Sequence, residues 1–338
     1  VLHFKPLDLD DSFSEKAFDN YVKMIDPQKR FLLQSEVDQM SLSKDKLDDQ
    51  ARMRSFEFFD ASVELIDLSR ARAKTIFEKI ISSDFDINTK EFIELDSEKR
   101  PFATDEKELA AHWKKMMTYD LINRVNSKLR SQEKAAEKKE EVVSEDSGEK
   151  VEAEEPKTLE EIKAESIEAI KKSYDTYFKA LDKDRRSDKF ERYVNAMTHL
   201  FDPHSDYLNP KEKKDFDIRM GGKLEGIGAR LTIADEMTKV NEIIPGGPAW
   251  KGKDLKVDDL ITAVRQEEGA ALNIVGMRLD DVVQKIRGKK GTIVYLTVKK
   301  PDGTTEEIKI ERDEVIIDEG FAKSLILAVN GSLLYKQG

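Results

Sequence analysis

Residues 224–298 hold turn, strand and helix signals in an order that few folds can accommodate. First comes Leu224-Glu225-Gly226-Ile227-Gly228-Ala229-Arg230-Leu231. Ile244-Pro245-Gly246-Gly247-Pro248-Ala249 follows, and then Arg278-Leu279-Asp280-Asp281-Val282-Val283, closing on Ile286-Arg287-Gly288. This reads as a glycine turn into a strand, a short helix, more strand, a longer helix and a last strand. Two glycines around one apolar residue let successive N–H groups point into one hollow, which is a nest for an anion. The strand after it, residues 229–234, would offer an open edge to an incoming chain. A carboxylate nest beside a free strand edge suits the capture of a peptide by its C-terminus. The plain alternative is a tight turn with no ligand. A dinucleotide loop fits poorly, because no third glycine follows at the right spacing and no helix opens there.

Residues 292–299 and 305–312 alternate in polarity around Pro301-Asp302-Gly303-Thr304, a hairpin signal. That hairpin supplies a sheet strand after the second helix instead of before the loop. The ordered set resembles a PDZ domain of the circularly permuted kind found in bacterial processing proteases. Asp258-Asp259 departs from it where such domains often carry Gly-Asp, and is expected only to stiffen a turn. By position, the resemblance makes Gly226, Ile227, Gly228 and Ala229 the carboxylate nest. Leu231 and Ile233 become strand positions near the peptide. Leu279, Val283 and Ile286 become the apolar helix side of the groove. For these last five the alternative role is ordinary core, and alternation does not say which of them faces the groove.

The chain has 338 residues, enough for two or three domains. A net charge of −11 gives a nucleic-acid backbone no general electrostatic reason to bind. The absence of cysteine excludes disulfides, a thiol nucleophile and thiolate metal sites. No apolar run is long enough to span a bilayer. Val1 is not an initiator methionine, so the sequence reads as a segment of a longer precursor.

Residues 1 to about 220 read as helices. Phe13, Ala17, Phe18, Tyr21, Val22 and Ile25 recur at helical spacing until Asp26-Pro27 stops the run. One long amphipathic helix is expected over 51–81, and another over 106–129 through Trp113, Met116, Met117 and Leu121. Thr158-Leu159-Glu160-Glu161 is a capping box that opens a further helix. A shorter one is expected over 188–201. Asn209-Pro210-Lys211-Glu212 then combines a cap, a first-turn proline and an acid. These stripes predict a helical core, and the methionine pair fills it. Residues 132–157 are rich in Glu, Lys, Ala and Ser and hold too little apolar surface to offset the entropy of ordering.

Side chains for chemistry are sparse. His199, Asp202, His204 and Asp206 lie close in sequence, and such groups can hold zinc. Pro203 disfavours placing both histidines on one helix face, so a polar turn is expected and no metal site is assigned. His3 and His112 are isolated. No Gly-x-Ser-x-Gly elbow occurs, and Ser205 beside His204 reads as a turn residue. Gly288-Lys289-Lys290-Gly291-Thr292 lacks the earlier glycine of a phosphate loop.

The helical part carries further signatures: Leu9-Asp10-Asp11-Ser12-Phe13-Ser14 with Phe18-Asp19, Glu108-Leu109 with Trp113, and Phe201-Asp202-Pro203-His204-Ser205-Asp206-Tyr207-Leu208. With residues 224–231 and 278–283, these resemble the front part of a tail-specific (carboxy-terminal processing) protease of the long bacterial type. The resemblance implies an α+β chain. An all-α N-terminal domain would span 1–131 and 158–214, interrupted by an acidic low-complexity insertion at 132–157. A circularly permuted PDZ domain would span 215–315, and 316–338 would begin a peptidase domain. It implies a periplasmic or envelope serine endopeptidase with a lysine base and no cofactor, which cuts proteins recognised by apolar C-terminal tails. Its partners would be those tails, with an envelope adaptor protein as a further candidate. The Ser/Lys pair has no counterpart up to Gly338, so no catalytic residue is assigned and this stretch is expected to be inactive alone. The alternative is a non-enzymatic envelope adaptor that binds protein C-termini through its PDZ domain.

Overall fold

The computed structural model describes residues 6–142, 156–221, 223–316, 325–329 and 332–336. The chain divides into two compact units, residues 1–209 and 210–338.

The first unit is helical: α1 (Asp11–Ile25), α2 (Gln34–Ser41), α3 (Leu47–Met53), α4 (Glu57–Ile81), α5 (Glu106–Val142), α6 (Leu159–Asp182) and α7 (Arg186–Thr198). Asp10 caps α1 by accepting the Phe13 N–H at 2.9 Å. After α1 the buried Asp26 carboxylate gathers the amides of Arg30, Phe31 and Leu32 at 2.7, 2.9 and 2.9 Å, which fixes the turn at Pro27. The apolar stripes meet in two clusters. Phe13, Phe18, Tyr21, Phe58, Phe59 and Tyr193 form one, and Phe77, Trp113, Met117, Leu121, Ile170 and Phe178 form the other. Met116 and Met117 are core residues.

The single helix expected over 51–81 is two. Arg54 takes a left-handed φ of 56° that closes α3. The Gln50 carbonyl then accepts the Ser55 N–H at 2.9 Å, and its side-chain oxygen accepts the Phe58 N–H at 3.0 Å. One buried residue thus ends one helix and caps the next. The capping box at Thr158 forms, with the Thr158 N–H on Glu161 Oε2 at 2.8 Å. Residues 132–142 continue α5, and the expectation of a solvated insertion falls for residues 143–155 outside the described part. The Gln132 side chain holds both main-chain groups of Lys157, so the two ends of this stretch meet.

The second unit mixes helix and sheet, so the chain as a whole is of the expected α+β class. It comprises α8 (Pro210–Gly221), β1 (Lys223–Gly226), β2 (Ala229–Ala234), β3 (Met237–Ile243), α9 (Pro248–Gly252), β4 (Leu260–Gln266), β5 (Leu272–Asn273), α10 (Leu279–Ile286), β6 (Ile293–Lys299), β7 (Thr305–Glu311), β8 (Asp313–Ile316), β9 (Leu325–Val329) and β10 (Ser332–Lys336). The main sheet runs β2-β3-β4-β6-β7, with β5 on β4, and all its pairs are antiparallel. The expected hairpin is β6–β7, with Lys299 opposite Thr305. Val294, Leu296 and Val298 alternate into the core with Ile308 and Ile310, and Val282 and Ile286 of α10 cover them. Separately, β8 returns to pair with β1, Asp313 opposite Gly226.

Asp258 does more than stiffen a turn. It sits at φ 74°, in the left-handed region that favours glycine, and Lys239 pairs with its carboxylate at 2.7 Å. Its neighbour Asp259 is fully buried and accepts from the Lys256 amide and the Lys300 ammonium, each at 2.8 Å.

Candidate functional site: a glycine loop, an edge strand and a helix

The loop between β1 and β2 is Ile227 and Gly228, with Gly226 before it and Ala229 after it. Gly228 needs its φ of 73°, and it lies so close to Gly247 that an added Cβ would stand 3.0 Å from the Gly247 Cα. The Ile227 side chain is only 3% exposed and anchors the loop in the core. The loop's carbonyls are tied back to the stretch 244–249. Ile227 O accepts the Ala249 N–H at 2.8 Å, and Gly228 O accepts the Ile244 N–H at 2.9 Å.

A planar trans peptide holds each N–H opposite its C=O. The amides of Gly228 and Ala229 therefore point away from 244–249. Among the described residues the amides of Ile227 and Gly228 donate no hydrogen bond. Buried amides without acceptors are rare because each costs about a lost hydrogen bond. An anion seated over the loop would supply the acceptor.

Next to the loop, β2 is the edge of its sheet, with β3 on one side and no described strand on the other. A bulge between Arg230 and Leu231 shifts its register against β3. Ala229, Leu231 and Ile233 share one face by alternation. Ala229 and Leu231 lean on the core, while Ile233 is 42% exposed.

α10 packs across from β2. Its cap Arg278 is extended, and Asp280 and Asp281 in the first turn complement the helix dipole. Val282 and Ile286 face the core, and Leu279 and Val283 form a half-buried stripe beside them. Ile286, expected to line the groove, is a core residue at 2% exposure. The helix spacing i, i+3, i+4 marks all four as apolar without saying which two lie innermost. The end of α10 abuts the loop, since a Cβ on Gly226 would stand 3.6 Å from Arg287 Cγ. Neither Arg287 nor Gly247 was expected at the site. Gly247 stood in a recognised glycine pair, but its contact with Gly228 joins positions far apart in sequence.

The charges around α10 and the loop are mixed. Burial pushes the Asp280 carboxyl up, but the Lys211 ammonium and Arg278 outweigh it and hold it below its ordinary value. Lys290 is held above its ordinary value by its bond to Asp313, which in turn is held low. In the helical unit, His199 pairs with Asp206 at 2.6 Å, and Asp202 accepts the His204 amide at 2.7 Å. Each of those carboxylates thus has a partner within the turn.

The family model described as the tail specific protease N-terminal domain matches residues 1–211, and the PDZ domain model matches residues 215–299. A tail-specific protease of Haemophilus influenzae is 30% identical over 335 residues, which is 97% of this chain and 43% of that protein. A probable CtpA-like serine protease of Staphylococcus epidermidis is 34% identical over 153 residues, 44% of this chain and 30% of that one. The chain thus spans less than half the length of these curated relatives. Two solved structures are also similar. The PDZ domain of the carboxy-terminal protease from Vibrio cholerae, in complex with peptide, is 42% identical. The match covers 28% of this chain and 97% of that one, with a TM-score of 0.27. The photosystem II D1 C-terminal processing protease is 26% identical over 40% of this chain and 34% of that one, with a TM-score of 0.28.

Proposed function

The chain belongs to the tail-specific protease family, and from that premise we propose that it provides substrate recognition for a serine-type carboxy-terminal processing endopeptidase. Its PDZ domain grips proteins of the periplasm or cell envelope by apolar C-terminal tails. The terminal carboxylate sits over Ile227, Gly228 and Ala229, and the tail's backbone extends the sheet along the open edge of β2. Leu231, Ile233, Leu279 and Val283 receive its side chains.

The observation that supports this reading best is the Gly228 amide of the loop. Its own peptide carbonyl, Ile227 O, is tied to Ala249, and the amide lacks an acceptor among the described residues. A carboxylate there forms charge-assisted bonds worth about 1.5–3 kcal/mol each. The adaptor alternative has less support, because one protease relative aligns along nearly the whole chain, helical unit included.

Nuclear magnetic resonance tests the donors directly. Titration with a free-acid, apolar-tailed peptide is expected to move the amide protons of Gly228 and Ala229 downfield, and more than those of β6 or β7. Loop amides that stay in place at saturation contradict the assignment.

A further inference from the structure

α8 precedes the sheet in the chain and belongs to the same compact unit. It is not free of α10. Lys211 bonds Asp280 at the start of α10, and Asp215 bonds Arg287 just past its end, the latter at 2.5 Å. The α8 residues Lys211, Asp215 and Ile218 are partly covered, whereas Lys213, Lys214 and Asp217 are exposed. One face of α8 is therefore turned towards the unit. The two ion pairs do not close the helices on each other, and between them lies a cleft of ≈ 1110 Å³. Its apolar surface comes from Ile218 of α8, Leu224 of β1, and Leu279 and Val283 of α10. Its rim is charged, with Lys211, Asp215, Asp280 and Arg287 among the lining residues. An apolar floor with a few oriented polar groups is the usual make-up of a ligand cleft.

The cleft and the glycine loop have Arg287 in common, which lines the cleft and also stands against Gly226. Leu279 and Val283, the surface stripe of α10, form part of its wall. A tail whose carboxylate sits over the loop therefore has this cleft beside its last residues.

We propose that α8 is a third wall of the peptide site, and that the cleft between α8 and α10 takes the apolar side chains of the tail's last residues. The inference rests on the tail-binding reading above. It makes Ile218 a specificity-determining residue that lies outside the 215–299 segment's strands and second helix. The ion pairs to Asp280 and Arg287 set the width of the cleft by holding α8 at a fixed distance. A tail ending in large apolar residues gains contacts there that a tail ending in alanine does not.

The test uses the full chain and two free-acid peptides, one ending in two leucines and one in two alanines. Ile218→Asp places a charge in the cleft and is expected to weaken the leucine peptide by about tenfold or more. The alanine peptide should change by less than about threefold, well short of one tenfold step. The variant should keep the wild-type preference for a free acid over an amide, because the loop is untouched. An unchanged leucine-peptide affinity in a folded variant overturns the inference and leaves the tail-binding reading standing. Absence of any acid preference in the wild type overturns that reading itself, and the inference with it. Should Ile218→Asp unfold, the wild-type chain decides. Amide resonances of 211–218 should shift on saturation with the leucine peptide, and amides that do not move overturn the proposal.

Discussion

Gly228→Val is expected to weaken binding of an apolar-tailed peptide by about a hundredfold or more. At φ 73° a side chain is strained, and a β-branched one is a genuine outlier. Space is short as well. The new Cβ would stand 3.0 Å from Gly247 Cα and 3.4 Å from both Pro248 Cδ and Val315 Cγ2. The backbone of 247 cannot yield cheaply, because it opens α9 and is tied to Ile244 O at 3.1 Å. The loop must open instead, which swings the amides of Gly228 and Ala229 away from their common hollow. Losing two charge-assisted bonds costs at least about 3 kcal/mol, or about a hundredfold in affinity. Fluorescence polarisation of a labelled peptide reads this, with urea unfolding as the control for fold. A folded variant that binds within threefold of wild type would show that the glycines serve only the turn.

Arg312→Met should destabilise the second unit by about 3 kcal/mol with little loss of side-chain volume. Arg312 lies between β7 and β8 and is 3% exposed. No carboxylate faces its guanidinium among the described bonds. It donates instead to neutral acceptors: Ile286 O at 2.7 Å, Lys285 O at 3.2 Å, Gln266 Oε1 at 2.7 Å, Thr292 Oγ1 at 3.0 Å and Ile293 O at 3.3 Å. Two of these are carbonyls at the end of α10, where a helix has no acceptors' partners of its own and welcomes a cation. Burial alone pulls the guanidinium below its ordinary pKa. Gly288 gives it room, since a Cβ there would stand 3.0 Å from Arg312 Cδ, Nε and Cζ. Methionine fills the space but takes the donors from Ile286 O and Gln266 Oε1, whereas Lys285 O keeps the Gln266 side-chain amide at 2.8 Å. The urea midpoint of the second unit should fall accordingly. A loss below about 1 kcal/mol, the worth of one ordinary hydrogen bond, would mean that water reaches these carbonyls.

Much of this architecture could be read from local chemistry. The stripe from Phe13 to Ile25 gave α1, the Thr158 capping box gave the start of α6, and Pro301 to Thr304 gave the β6–β7 hairpin. Each of these signals is complete within a few residues. What stayed hidden depends on distant partners. The break between α3 and α4 is made by Gln50, whose two caps are invisible in an apolar pattern that runs on to Ile81. Ile286 and Val283 look alike in the helical period, yet only contact with the sheet assigns one to the core and the other to the surface. The glycine loop could be placed by its residues. Its dependence on Gly247, and the bond between Asp215 and Arg287, needed the folded chain.

In the proposed mode of binding, the loop at 226–229 holds a terminal carboxylate. The most direct measurement compares one apolar-tailed peptide as the free acid and as the C-terminal amide, by fluorescence polarisation at equal ionic strength. Amidation removes the charge and an acceptor oxygen while leaving every side chain in place. The amide is expected to bind about ten- to a hundredfold more weakly. Equal affinities for acid and amide would contradict this mode of binding.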